Sequence, residues 1–199
     1  MSIRTIRKTV SSYEKGTLFL NSDLFGREKE KTIDKTLQRL AEKGEICKIS
    51  RVIYVVPKED KLFGTGLLLP SREEVGRYIA KRTGEILLPT HEYALNALGF
   101  STQVQNEAAF LTTGRSRKVT LEGYGGSGIT FIHTSDKRLF QIENRRLLLL
   151  TLALKKIGKE ALTEDDMKKV KKHVSEINAG DLLREIKLTP EWIRKIILS

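Results

Sequence analysis

The apolar positions of the first sixty residues predict a helix, a short strand, two further helices and a hairpin. Intervals of three and four residues mark the helices, and short β-branched runs mark the strands. This order of elements is that of a winged helix-turn-helix. The predicted elements are a first helix with Ile3, Ile6, Val10 and Tyr13 on one face, a strand at 17–20, a brief helix carrying Leu24 and Phe25, a third helix over 28–43, and strands at 46–49 and 52–56.

The remainder of the chain mixes strand-like and helical patterns, which predicts an α+β fold. A charge run at 58–61 and glycines at 64 and 66 place a linker between two parts. We therefore predict a winged helix-turn-helix domain at 1–60, a linker at 61–70 and a larger mixed α+β domain at 71–199. The elements expected in the larger domain are helices after the N-caps Ser71, Thr90, Thr163 and Thr189, a helix over 145–157, and strands at 86–88, 108–112, 118–121 and 129–133.

Charge narrows the classes of partner. The 199 residues hold 36 Lys and Arg against 25 Asp and Glu, a net charge of +11, which favours an acidic partner such as nucleic acid.

The longest apolar run, residues 147–154, is far shorter than the roughly 20 residues that a membrane helix needs. The N-terminus lacks a secretory signal, and Cys47 is the single cysteine. We expect a cytoplasmic protein that does not contact a membrane.

The third predicted helix has the two faces that a DNA-reading helix needs. Ile33, Leu37 and Leu40 form an apolar side, and the opposite side displays hydrogen-bond donors. Lysine and threonine hold phosphates, whereas arginine and glutamine can reach base edges in the major groove. The contacts predicted on this helix are Lys31, Thr32, Lys35, Gln38 and Arg39.

The hairpin that follows supplies a second predicted contact. Arg51 lies at its tip, and with Lys48 and Ser50 it would touch the flanking DNA backbone or the minor groove. Two alternatives remain open from the residues alone. Winged helices also serve as protein-docking modules, and the third helix could be a solvated one whose cations pair at i,i+4 with Glu28, Asp34 and Glu42.

No catalytic or metal site is evident in the sequence. His91, His133 and His173 lie about forty residues apart, without the spacing of a metal site. The glycine-rich run Gly123–Gly128 precedes a strand rather than a helix and lacks the lysine of a phosphate loop, which favours a hairpin connection. We therefore expect no enzyme, no metal and no cofactor.

Two basic clusters of the larger domain leave further functions open. Arg115, Arg117 and Lys118 could hold a phosphate or an acidic partner, with a solvated turn as the alternative. Lysines at 168–172 could likewise be a solvated helix face. Together the clusters allow an RNA-binding module. An enzyme is the other alternative, and it would need a cleft gathering His91, Arg115 and a carboxylate.

Several segments resemble one family. The likeness covers nearly the whole chain, and its most specific part is the Leu-Gly-x-Ser-Thr-Gln-Val block of the second domain. The chain resembles the AbiEi-type antitoxins. One position differs, because Val52 follows the wing arginine where that family usually has glycine. The matching segments are Leu37–Ile46, Arg51–Pro57, Ala94–Val104, Phe110–Gly114 and Trp192-Ile193.

The resemblance implies an antitoxin of a bacterial type IV toxin–antitoxin system. Such a protein represses its own operon through the N-terminal domain. It counters a nucleotidyltransferase-like toxin through the C-terminal domain, without needing a stable complex with that toxin. The enzyme alternative would then be a C-terminal domain that modifies the toxin or its RNA targets. The implied partners are operator DNA upstream of its own operon and the toxin, and a two-fold operator would favour dimerisation on DNA.

Overall fold

The computed structural model describes residues 3–25, 30–59, 67–103 and 107–199. The chain divides into two compact units, Met1–Thr83 with Lys118–Ile129, and Gly84–Arg117 with Thr130–Ser199. Residues 61–66 of the predicted linker at 61–70 lie outside the described residues. The two units differ from the predicted domains, since residues 71–83 and 118–129 group with the N-terminal segment rather than with the larger domain.

The first unit begins with the winged helix. Its elements are α1 (Ile3–Ser11), β1 (Leu18–Leu20), a 3-10 turn (Asn21–Leu24), α2 (Glu30–Glu42), β2 (Cys47–Lys48) and β3 (Ile53–Val55). Antiparallel pairing gives the strand order β1-β3-β2, so the hairpin partner β3 lies in the middle. The predicted order is confirmed, although the second helix is only one 3-10 turn. The start of α2 predicted at Glu28 lies outside the described residues.

Apolar side chains of α1, β1, the 3-10 turn, α2 and β3 meet in one core. Ile6 of α1 and Ile33 and Leu37 of α2 are fully buried. Tyr13 and Phe19 contact each other with ring centroids 5.2 Å apart. Gly44 follows α2 at a φ of +70°, a conformation that costs an L side chain free energy, so the predicted helix end is confirmed. The buried members of the core are Ile6, Val10, Phe19, Leu24, Ile33, Leu37, Leu40, Ile46 and Tyr54.

Three further elements follow in the first unit: β4 (Lys58–Glu59), which pairs with β5 (Leu67–Leu68), and α3 (Arg72–Thr83). The predicted capping box of α3 is confirmed, since the Ser71 amide donates to Glu74 at 2.6 Å and the Glu74 amide donates to the Ser71 hydroxyl at 3.2 Å. Asp23 of the 3-10 turn pairs with Arg82 and accepts from the Tyr78 hydroxyl. These bonds attach α3 to the winged helix.

Tyr78 should titrate unusually late. Burial of the phenol, together with the negative charge of Asp23, raises the pKa of Tyr78 to about 12. In the unfolded chain the phenol ionises near pH 10. Stability is therefore expected to fall as pH rises from about 10 to 12, because only the unfolded form loses the proton there. The absorbance of tyrosinate, compared between the wild type and Tyr78→Phe, measures this pKa, and Asp23→Asn should lower it. A Tyr78 titration near pH 10 would contradict the described contact.

The second unit contains β6 (Leu87–Pro89), α4 (His91–Ala97), β7 (Ala108–Thr112), α5 (Arg145–Ile157), α6 (Glu164–Ser175), α7 (Ala179–Glu185) and α8 (Glu191–Ile197). The four-stranded sheet has the order β6-β7-β9-β8, with β8 at Arg117–Thr120 and β9 at Gly128–His133. Residues 118–129 of the β8-β9 hairpin group with the first unit. The fold class is α+β, as predicted.

Helix α5 is the centre of the second unit. Eight consecutive residues from Leu147 to Leu154 are buried, and they form the main part of the core. The predicted bounds of α5 are confirmed, as are the N-caps Thr90 and Thr163. The last helix begins one residue later than predicted, because Pro190 rather than Thr189 is its N-cap.

Candidate nucleic-acid interface

One side of α2 is exposed and cationic. Lys31, Lys35, Gln38 and Arg39 are exposed, whereas Thr32 is half-buried. Ile33, Leu37 and Leu40 on the opposite side are at most 4% exposed. Thr36 is also buried, and its hydroxyl donates to the Thr32 carbonyl at 2.7 Å. The helix is therefore clamped by one side to its own unit, and the predicted donors lie on the other.

Asp34 and Glu42 of α2 accept hydrogen bonds from side-chain amides and do not pair with the cations of the helix. The side-chain amide of buried Asn21 donates to Asp34 at 3.1 Å, and that of Gln38 donates to Glu42 at 3.1 Å. Within the described parts of the chain, Lys31, Lys35 and Arg39 form no ion pair. Glu28 lies outside these parts. The interpretation of α2 as a helix stabilised by i,i+4 ion pairs is thus not supported by Asp34 or Glu42.

The wing is a tight corner with one cation at its tip. The amides of Ile49 and Ser50 both donate to the Ile53 carbonyl, at 2.8 and 3.2 Å. Arg51 and Val52 are exposed, and the described part of the chain has no non-glycine residue with positive φ, so Val52 fits the corner without strain. Ser50 is only 6% exposed, which makes it inaccessible to a groove. We therefore correct the prediction and remove Ser50 from the candidate contacts.

Lys48 has a partner that local sequence did not reveal. Its ammonium lies 2.9 Å from the carboxylate of Glu122, and this hydrogen bond raises the pKa of Lys48. The amide of Glu122 also donates to the carbonyl of Ile49 at 2.8 Å. Glu122 belongs to the Lys118–Ile129 segment, which groups with the first unit. Lys48 is thus engaged by a carboxylate beside the wing, whereas Arg51 at the tip is exposed.

Replacing Glu122 by glutamine should tighten DNA binding. The Lys48–Glu122 pair is half-exposed and contributes little to stability, so the fold is expected to persist. One released lysine that reaches a phosphate adds about 0.9 to the salt slope, or roughly fivefold in affinity near 150 mM salt. Fluorescence anisotropy with operator DNA measures the change. In a Lys48→Gln background the gain should disappear, and a gain that survives there would show that Glu122 does not act through Lys48.

The three cations predicted at 115–118 do not all lie at the surface. Arg117 is directed inward, where its guanidinium donates to Glu85 at 3.0 Å and lies 4.2 Å from the centre of the Phe131 ring. The Thr112 hydroxyl donates to the same carboxylate at 2.8 Å. Arg115 and Lys118 are exposed. The prediction that all three cations contact a phosphate or partner is therefore corrected for Arg117, whose role is structural.

The three histidines do not share a site, since His133 and His173 have different hydrogen-bond partners. His133 Nδ1 lies 2.8 Å from the Gly114 carbonyl. His173 lies between the Leu98 carbonyl and Arg146, each at 3.0 Å. Burial lowers the pKa of His91. Among the described residues no three His, Cys, Asp or Glu side chains could hold a metal ion together.

The glycine-rich run is the connection of a hairpin. Its residues join β8 to β9, and the Tyr124 hydroxyl donates to the Pro70 carbonyl at 2.6 Å. A Cβ at Gly128 would lie 2.5 Å from the Val119 carbonyl oxygen, so this position requires glycine. The hairpin prediction for Gly123–Gly128 is confirmed. No helix among the described residues is long and apolar enough to cross a membrane.

A family model matches residues 5–182, nearly the whole chain. The chain belongs to DUF6088. This family is described as one of unknown function. No curated protein and no solved structure matches the chain. Support for any function of this DUF6088 member therefore comes from its own residues.

Proposed function

We propose that this DUF6088 member is a sequence-specific DNA-binding repressor of its own operon that inserts α2 into the major groove. The observation that carries the proposal is the outer face of α2. Lys31, Lys35 and Arg39 are exposed there without a carboxylate partner among the described residues. Unneutralised cations on a helix that is clamped from behind are suited to a polyanion.

The residues of α2 divide into two kinds of contact. Lysines 31 and 35 are point charges that suit phosphate oxygens, and they would fix the register of the protein on the duplex. Arg39 carries the planar fork that fits guanine, and Gln38 could read adenine after leaving Glu42. Arg51 would contact the flanking backbone or minor groove. Half-buried Thr32 would donate to a phosphate only at close approach.

The length of α2 limits what one copy can read. Thirteen residues span about 20 Å, which corresponds to a single half-site. We therefore propose that two copies bind a two-fold operator, with half-sites about 34 Å apart. Footprinting of the upstream DNA would detect this spacing.

A reporter assay tests the repressor proposal in cells. The region upstream of the operon is fused to a reporter gene, and the protein is supplied from a second promoter. We expect reporter output to fall with the natural upstream sequence and to stay unchanged with a scrambled sequence of equal composition. Unchanged output from the natural sequence would contradict repression.

The antitoxin role is proposed from the resemblance to AbiEi-type antitoxins. The protein would act in the cytoplasm, where its second unit would counter a nucleotidyltransferase-like toxin without a stable complex or a catalytic step of its own. A growth assay tests this role separately from DNA binding. A variant with Lys35→Glu and Arg39→Glu should still rescue cells that express the toxin from an unrelated promoter. Failure of the wild type to rescue growth would contradict the antitoxin role and leave the repressor proposal standing.

A further inference from the structure

Helix α6 presents a second cationic face. Lys168, Lys171 and Lys172 are exposed and follow each other at spacings of i, i+3 and i+4, which places them on one side of the helix. Val170 on the opposite side is 1% exposed and belongs to the core of the second unit. The three ammonium groups therefore share one exposed surface, which we call the α6 lysine face.

Most acidic residues of α6 have partners outside the α6 lysine face. Asp166 closes the capping box with Thr163, and Asp165 pairs with Lys169 at 3.0 Å. Glu176, which caps the C-terminal end, pairs with Arg146. Glu164 lies in the first turn, where a negative charge is stabilised by the helix dipole. None of these carboxylates forms a described ion pair with the α6 lysine face.

Other cations of the second unit are mostly paired. Lys155 lies 2.7 Å from Asp136, Lys156 lies 2.6 Å from Glu92, and Lys195 lies 2.9 Å from Glu191. Lysines 137, 159 and 187 are exposed and have no ion pair in the described residues, but each lies on a different segment. Among the described lysines of the second unit, only Lys168, Lys171 and Lys172 are exposed, share one helix face and lack a described carboxylate partner.

We propose that the α6 lysine face binds the phosphodiester backbone of a nucleic acid, as a contact separate from α2. Lysine ammonium groups suit phosphate oxygens and carry no base specificity. The face has no arginine or amide side chain to read base edges, and the hydroxyl of Ser175 donates to the Lys172 carbonyl. The aromatic ring beside α6, Phe100, is covered by Lys169 at 5.9 Å and so does not offer a platform for unstacked bases. The contact is therefore independent of sequence and directed at the backbone.

Two glutamine triples of equal charge test the proposal. Lys168→Gln/Lys171→Gln/Lys172→Gln removes the α6 lysine face, and Lys137→Gln/Lys159→Gln/Lys187→Gln removes three scattered lysines from the same unit. Glutamine has nearly the helix propensity of lysine, so both variants should keep the wild-type circular dichroism. Both are combined with Lys35→Glu and Arg39→Glu, so that the outcome does not depend on α2.

Binding is measured by anisotropy with a scrambled DNA duplex and with tRNA at about 50 mM salt. We expect the α6 triple to lose at least tenfold in affinity and up to about 2.7 in salt slope for the duplex, since each phosphate contact contributes about 0.9. The scattered triple should lose less than threefold. A loss with tRNA alone would assign the face to RNA, and a loss with the duplex alone would assign it to DNA beside the operator. Equal losses in both triples, or no loss in the α6 triple, would overturn the proposal.

Discussion

We expect the replacement of both Lys35 and Arg39 by glutamate to abolish operator binding and to leave the fold intact. Both side chains are exposed on α2 and neither makes a described contact that the fold would lose. Each reversal removes one favourable contact and adds repulsion from the phosphates. A specific DNA-binding protein binds its site at least about 10³-fold more tightly than nonspecific DNA. We expect the double variant to bind operator DNA no more tightly than nonspecific DNA. A gel-shift titration measures both affinities.

The control for this variant carries the same change of charge elsewhere. Lys137 and Lys187 are exposed in the second unit, and Lys137→Glu with Lys187→Glu alters the net charge equally. This control should bind operator DNA within a few-fold of the wild type, because exposed charges that do not contact the DNA are largely screened at about 150 mM salt. Unchanged affinity of the Lys35 and Arg39 variant would remove α2 as the reading helix.

Truncation of Leu150 to alanine should give the largest loss of stability. Leu150 is fully buried within α5, in the core of the second unit. Buried Leu→Ala changes cost about 3–5 kcal/mol in free energy of unfolding, from lost transfer energy and the cavity left behind. Urea denaturation followed by circular dichroism measures the change.

Leu183 provides the matched control, because its side chain in α7 is 74% exposed. Leu183→Ala should change the free energy of unfolding by less than about 0.5 kcal/mol. If Leu150→Ala were as mild as this control, α5 would not be the central helix of its unit.

Elements with a strong local pattern were predictable from the sequence. The sequence predicts the observed bounds of α5, because residues of this helix are apolar on nearly every one of its faces. The winged helix was predictable because its helices bury one face each and Gly44 ends α2. Short elements without periodicity were missed, namely the two-residue strands β4 and β5, and α7.

The grouping of α3 was not predictable from local patterns. Its capping box marked where the helix begins, but its attachment depends on Asp23, which meets Arg82 across 59 residues of chain. A charge run and two glycines favoured a boundary before this helix, whereas the contacts place it in the first unit.

The candidate site was predictable on α2 and only partly on the wing. Helical periodicity alone separates the exposed Lys31, Lys35 and Arg39 from the buried face. The wing depends on partners distant in sequence, since Glu122 pairs with Lys48 and the tight corner buries Ser50. Non-local contacts of this kind leave no signal in the spacing of residues.

An equilibrium competition at about 150 mM salt tests most directly whether the protein recognises a specific DNA sequence through α2. Purified wild-type protein is bound to its own upstream DNA, and scrambled duplex and tRNA are added as competitors. Nonspecific electrostatic binding is weakened at this ionic strength. A preference for the upstream duplex over the competitors therefore reflects recognition of its base sequence. We predict that the upstream duplex is preferred by at least about 10³-fold. Equal and weak binding to all three nucleic acids would contradict sequence-specific recognition by α2.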